Sequence, residues 1–164
     1  MAGPRRGKRE EDSAKGARIL IVEARYYDDL ADLLLAGATN VLEEAGAEIE
    51  RISVPGSLEI PPAIIIAVDA AQRKRRPYDG VVALGCVIRG DTTHYETVCH
   101  NANHWLMHLA VAHAIPLGNG ILTVETEAQA MERAQGGRKG KGADAVRACL
   151  AVIALERVFA DEEA

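Results

Sequence analysis

Short apolar runs alternate with longer stretches of helical periodicity along this chain, and that alternation leaves few folds open. "ARILIVEA" (17–24) has the length and β-branched content of a buried strand. From Asp28 the period changes: Leu30, Leu33, Leu34, Gly37, Ala38, Val41, Leu42 and Ala45 share one helical face, with Asp28 and Asp29 at its start and Gly46 at its stop. "EIERISV" (48–54) is polar enough for a sheet edge, and "PGSLEIPP" turns the chain into a helix opened by Pro61 and Pro62. "YDGVVALGCVI" (78–88) is a wholly apolar strand, and a helix over 93–114 follows it. "GNGILTVE" (118–125) is a further strand; after it come a short helix capped by Thr126 and a last helix over 143–159. Strands and helices in alternation predict a three-layer α/β sandwich around a four-stranded parallel sheet. In such sheets ligands sit at the carboxyl ends of the strands, here just after Ala24, Val54, Ile88 and Glu125.

Size and charge narrow the function. The 164 residues suit one domain, and no apolar run approaches the roughly 18 residues of a membrane span. Net charge is −5, yet the first 16 residues hold five basic and three acidic side chains, so the remainder is more acidic still. That excludes a nucleic-acid-binding core. The chain divides into a disordered charged tail (1–16) and a domain (17–160). The tail lacks the apolar segment of a signal peptide, and Cys86, Cys99 and Cys149 show no CxxC spacing, which reads as reduced thiols of a cytoplasmic protein. Ile64, Ile65, Ile66, Ala67 and Val68 point all around their helix, whereas one sheet covers only one side. A homo-oligomer is the expected answer.

The chemistry concentrates in "RGDTTHYE" (89–96), between strand and helix. Thr93 and Glu96 have capping-box spacing, which puts His94 in the first helical turn. Free helix amides, the dipole and the flexible backbone of Gly90 then make an anion site, to which Thr92 adds a hydroxyl. The helix end disfavours an imidazolium and a bound phosphate would favour one, and an imidazole placed between them can exchange protons with a substrate. A lone histidine in a helix turn more often packs or caps; the phosphate-friendly loop is what raises its standing.

"VPGSLEIP" (54–61), "ALGCVIRGDTTHYE" (83–96), "GNGILTVETEAQAMERA" (118–134) and "KG" (141–142) together resemble the lumazine synthase family, in order and spacing, from about Arg18 to Phe159. The resemblance implies a flavodoxin-like sandwich and the penultimate step of riboflavin synthesis. In that step 5-amino-6-(D-ribitylamino)uracil and 3,4-dihydroxy-2-butanone 4-phosphate condense to 6,7-dimethyl-8-ribityllumazine, phosphate and water, with no cofactor. It implies a homopentamer with sites between subunits, extendable to a 60-subunit shell, and riboflavin synthase as a candidate partner. Carried onto this sequence, the catalytic histidine falls on His94, and the butanone phosphate binds at Asp91, Thr92, Lys141 and an Arg133 supplied by the neighbouring subunit. The ribitylaminouracil falls to Tyr26, Ser57, Leu58, Glu59, Cys86, Val87, Ile88 and Asn119. Two positions depart from the family: the stacking aromatic is Tyr26 followed by Tyr27, and Asn119 stands where many members carry a large apolar residue.

Other readings are weaker. His100, His104 and His108 recur every four residues and could hold a metal, but the apolar stripe Val98, Ala102, Trp105, Leu106 and Leu109 lies opposite them, which turns the row outward. "QGGRKGKG" (135–142) fails as a phosphate-binding P-loop, because Gln135 and Gly142 replace its first glycine and its hydroxyl residue, and a helix precedes it. A non-catalytic family member that binds flavin or builds shells is the main competitor; His94, Arg133 and Glu59 speak for catalysis.

Overall fold

A computed structural model describes residues 14–162 of the chain. Most of the tail expected over 1–16 lies outside the described residues. Where the description begins, Ala14 is fully buried, its carbonyl accepts from the Ala17 amide at 2.8 Å, and the Gly16 amide donates to Gly46 O at 3.0 Å. The packed chain therefore reaches back to Ala14.

The elements run β1 (Arg18–Ala24), α1 (Asp28–Glu44), β2 (Glu48–Val54), α2 (Ile60–Arg73), β3 (Gly80–Ile88), α3 (His94–Ala112), β4 (Leu117–Val124), α4 (Glu127–Ala134) and α5 (Lys141–Glu162). A single 3-10 turn, Ser57–Glu59, leads into α2. Every strand pair is parallel, in the order β2-β1-β3-β4. This is the α/β sandwich that the alternation predicts, of the flavodoxin-like kind that the resemblance implies. The polar strand β2 takes an edge, where water solvates its alternate side chains, and the wholly apolar β3 lies inside the sheet.

The period of two along β1 sorts its side chains between two cores. Ile19 and Ile21 face Leu34 and Ala38 of α1 and Val146 and Leu150 of α5. Leu20, Val22 and Ala24 face Ile60 and Ile64 of α2 and Ala102 and Leu106 of α3. On α2, Ile60, Ile64, Val68 and Ala71 are buried whereas Ile66 is 67% exposed, so one chain covers only one side of this helix. Trp105 departs from expectation. It was assigned to the buried stripe of α3, yet it is 48% exposed, because Ala102 and Leu106 on either side already fill the contact with the sheet.

Helix α5 lies against α1 closely enough that only glycine fits at their crossing. A methyl at Gly142 would stand 2.0 Å from Leu34 O, a backbone atom that cannot swing away. Helix propensity favours alanine there by at most about 1 kcal/mol, whereas overpacking a rigid contact costs about 1–3 kcal/mol. Gly142→Ala is therefore expected to lower the thermal midpoint, by roughly 2–4 °C for each kcal/mol in a chain of this size. A calorimetric scan with an unchanged or higher midpoint would contradict the close crossing.

Candidate active site

Connections from β1 run to β2 on one side of the sheet and onward to β3 on the other, so strand order reverses beside β1. The loops leaving the carboxyl ends part at that point and leave a cleft of about 440 Å³. Each wall belongs to one strand end.

The loop after β1 carries Tyr26 and Tyr27, whose rings meet edge to face at 5.0 Å and 70°. Tyr26 is 73% exposed and lines the cleft, while Tyr27 is half-buried and burial raises its phenol above the ordinary value. Arg25 holds this loop. Its Nε donates to Asp28 Oδ1 at 2.9 Å and a terminal nitrogen to Asp32 Oδ1 at 2.6 Å, both on α1. A second terminal nitrogen reaches the fully buried Glu23 at 3.1 Å. Glu23 is further satisfied by the Ser53 hydroxyl at 2.8 Å and Arg51 Nε at 3.1 Å, which ties the ends of β1 and β2 together. A buried carboxylate needs such partners, since desolvating it alone is very costly.

The turn after β2 brings up Ser57, Leu58 and Glu59, with Ser57 only 5% exposed against β3. That approach depends on Gly85, where a methyl would meet Ser57 Oγ at 2.9 Å. The end of β3 supplies the floor, Cys86, Val87 and Ile88. Burial, reinforced by the neighbouring Cys99, pushes the Cys86 thiol up to about 11, so it is a neutral lining group at physiological pH.

Gly90, Thr92, His94 and Tyr95 close the remaining side. The space beside Gly90 is open. The expected capping box does not form here. Thr93 makes no side-chain cap; instead Thr92 Oγ1 accepts from the His94 amide at 3.3 Å. Glu96 is diverted to Arg89, whose guanidinium outcompetes a neutral amide for a carboxylate and holds Glu96 below the usual carboxylate range. Arg89 also bonds Glu125 at 2.8 Å and lies 4.2 Å from the centre of the Tyr95 ring.

Nine of the expected site residues therefore meet in one cleft: Tyr26, Ser57, Leu58, Glu59, Cys86, Val87, Ile88, Thr92 and His94. Asp91 shares the loop, exposed between two of them. The others stand apart within this chain. Asn119 lies mid-strand on β4 opposite Ala83, where it donates to Asn103 of α3 at 2.6 Å and accepts from the Ile121 amide at 3.0 Å. Arg133 projects from α4 with its guanidinium on Gln129 O at 3.1 Å, and Lys141 begins α5. Sequence reasoning gave no role to Tyr95 or Arg89; an arginine seven residues before a glutamate across a strand–helix junction was the available signal.

On the outer face of α3 the His104 and His108 rings stack at 6.4 Å, with Trp105 edge-on to both. Among the described residues no group of three or more His, Cys, Asp or Glu side chains has the arrangement to hold a metal ion, and no helix is long and apolar enough to cross a membrane.

An open parallel sheet with a mostly apolar cleft carrying a few polar groups at its switch point is the architecture of an α/β enzyme acting on small molecules. Comparison with known proteins narrows the class. The sequence profile of the 6,7-dimethyl-8-ribityllumazine synthase family matches residues 16–157, and the chain belongs to that family. It is 60% identical over 142 residues to the 6,7-dimethyl-8-ribityllumazine synthase of Azorhizobium caulinodans, covering 87% of this chain and 88% of the relative. It is 59% identical to that of Methylocella silvestris, covering 96% of each chain. The enzyme of the same name from Nitrobacter hamburgensis is 52% identical, covering 98% of this chain and 99% of the relative.

The buried thiols make stability depend on alkaline pH with a definite sign. Cys149, fully buried, is pushed up to about 12, and burial raises Tyr27, Tyr78 and Tyr95 in the same direction. Unfolded thiols ionise near 9.0. Above that pH the unfolded chain sheds protons that the folded chain keeps, so stability falls as pH rises from about 9 towards 11. Urea midpoints measured across that window should decline, and Cys149→Ala should make the decline shallower; a flat profile would contradict the burial of these groups.

Proposed function

We infer that this chain is a 6,7-dimethyl-8-ribityllumazine synthase working in riboflavin biosynthesis. It condenses 5-amino-6-(D-ribitylamino)uracil with 3,4-dihydroxy-2-butanone 4-phosphate, releasing the lumazine, phosphate and water. The observation that carries the reading is a histidine in the first turn of α3 lining the same switch-point cleft as Thr92, Glu59 and Tyr26, in a chain that belongs to this family. The catalytic unit is residues 17–160, extended back to Ala14 by the packed turn.

The chemistry asks for orientation and proton transfer. Tyr26 offers a ring face on which the uracil stacks, a contact of about 0.5–1.5 kcal/mol beyond burial. Glu59 accepts hydrogen bonds from ribityl hydroxyls, and main-chain groups at Ser57, Leu58 and 86–88 read the polar edges of the heterocycle. The butanone phosphate lies at Asp91 and Thr92 near the positive end of α3. The primary amine attacks the ketone and loses water to give an imine. Phosphate elimination leaves an enol that tautomerises to a ketone, and the ribityl-bearing nitrogen then attacks that ketone and closes the ring with loss of a second water. His94 carries protons between these steps, while juxtaposition of the two substrates supplies most of the acceleration.

The site is completed by a second subunit. Arg133, whose polar partners among the described residues are the Gln129 carbonyl and Glu132, clamps the phosphate of its neighbour with a bidentate fork, supported by Lys141. Asn119 stands beside the neighbour's heterocycle. Ile66 on α2, Met107 and Val111 on α3, and Leu155 and Phe159 on α5 are exposed in the single chain, which supports burial between copies. The assembly is a cytoplasmic homopentamer able to build a 60-subunit shell, with riboflavin synthase as a candidate partner.

Mixing the two substrates with the protein should produce lumazine fluorescence; a protein that binds riboflavin tightly but forms no product would overturn the assignment. His94→Ala should lose about 10²–10⁴-fold in turnover, the usual worth of a general acid–base group, and retain measurable activity. Arg133→Ala should raise KM for the butanone phosphate much more than KM for the uracil. Light scattering should return a pentamer or a multiple of it, and a monomer active at high dilution would contradict the shared site.

A further inference from the structure

Arg89 sits where three elements end. Its amide donates to Val124 O at 3.0 Å, its guanidinium bonds Glu96 on α3 and Glu125 after β4, and its plane covers the Tyr95 ring. Glu96 follows His94 by two residues in the segment that carries Gly90 and Thr92, and Glu125 is brought to the start of that segment by its bond to Arg89. Glu96 in particular has capping-box spacing, so without a competing cation it would reach back to the helix amides that an anion needs. One of its oxygens is buried with no hydrogen-bond partner of its own, and the link to Arg89, ahead of a lesser bond from its own backbone amide, holds this carboxylate in place.

We propose that Arg89 is a positioning residue for phosphate recognition: it holds Glu96 and Glu125 away from the anion end of the cleft and leaves the first turn of α3 open to the phosphate-bearing substrate. It does not itself touch that substrate, since its guanidinium is spent on the two glutamates and the tyrosine ring. The proposal rests on the lumazine synthase reading for the identity of the substrate, though its electrostatic core concerns any phosphate at this site. An uncompensated carboxylate beside a bound phosphate repels it through a partly desolvated medium, where charge–charge terms exceed those in bulk water.

The experiment compares wild type with Arg89→Met, Arg89→Lys and the double variant Arg89→Met/Glu96→Gln. KM for each substrate, kcat and thermal midpoint are read for all four. Arg89→Met should raise KM for the butanone phosphate about tenfold or more and leave KM for the ribitylaminouracil within about twofold, as expected when one interaction specific to one substrate is lost. Arg89→Lys should recover part of the loss, because a lysine keeps the charge without the fork that spans two carboxylates. The double variant should recover most of it, because the carboxylate that competes with the phosphate is gone. A merely structural brace predicts the reverse, with both KM values and the midpoint affected together and the double variant no better than the single one; that pattern would overturn the proposal. Equal KM values in wild type and Arg89→Met would also overturn it. Inorganic phosphate titrated against the His94 ring resonances provides a readout without turnover. Weaker phosphate binding in Arg89→Met upholds the positioning role even if wild type makes no lumazine, whereas active wild type with unchanged phosphate binding in the variant removes the positioning role and leaves the enzyme assignment standing.

Discussion

Parallel pairing of β1 with both β2 and β3 is the constraint on which the rest of the molecule depends. Parallel neighbours place their carboxyl ends on one edge and require helical crossovers, so the same pairing buries the sheet on both faces and gathers three outgoing loops. Because β2 and β3 lie on opposite sides of β1, those loops diverge and a crevice opens between them. The aromatic loop, the Ser57–Glu59 turn and the start of α3 are neighbours for that reason alone; nothing in their sequence separation brings them together.

Charge then holds the edge in shape. Arg25 joins the end of β1 to α1 and to the buried Glu23, and Glu23 joins β1 to β2 through Ser53 and Arg51. On the other flank Arg89 joins β3, α3 and β4. Arg89 and its partners are exposed enough for water to weaken each single pair, so that network's value lies in geometry more than in stability, whereas the buried Glu23 needs its partners to be there at all. A cleft bordered by loops needs such ties, because substrate orientation tolerates little looseness in the groups that provide it.

The single chain also shows what it lacks. Its cleft has an aromatic face, a carboxylate, a histidine and hydroxyls, yet the guanidinium suited to a phosphate, Arg133, projects from α4 away from it. Apolar side chains on α2, α3 and α5 remain uncovered at the same time. An anion end without that guanidinium and an uncovered apolar surface both support the proposal that a second copy of the chain completes the site.

Most of the fold was legible because the signals for it are local. Periods of two and 3.6 assigned the four strands and five helices of the described residues, strand ends located the edge at which the cleft opens, and the family resemblance named nine of the residues that line it. Long-range partners were not legible. The Thr93–Glu96 spacing reads as a capping box to any local rule, but Arg89 reaches Glu96 because β3 delivers it there, with Glu125 from β4 completing the grip. Trp105 looks buried by periodicity and is half exposed because its neighbours occupy the sheet contact first, while the bond from Asn119 to Asn103 on another element has no local signal at all. Periodicity, turn chemistry and residue type by themselves determined the layers and the edge at which chemistry gathers, since each is encoded within a few residues. Tertiary structure alone decided which charges meet and which side chains stay exposed, because those outcomes turn on competition among groups that only the folded chain brings within reach.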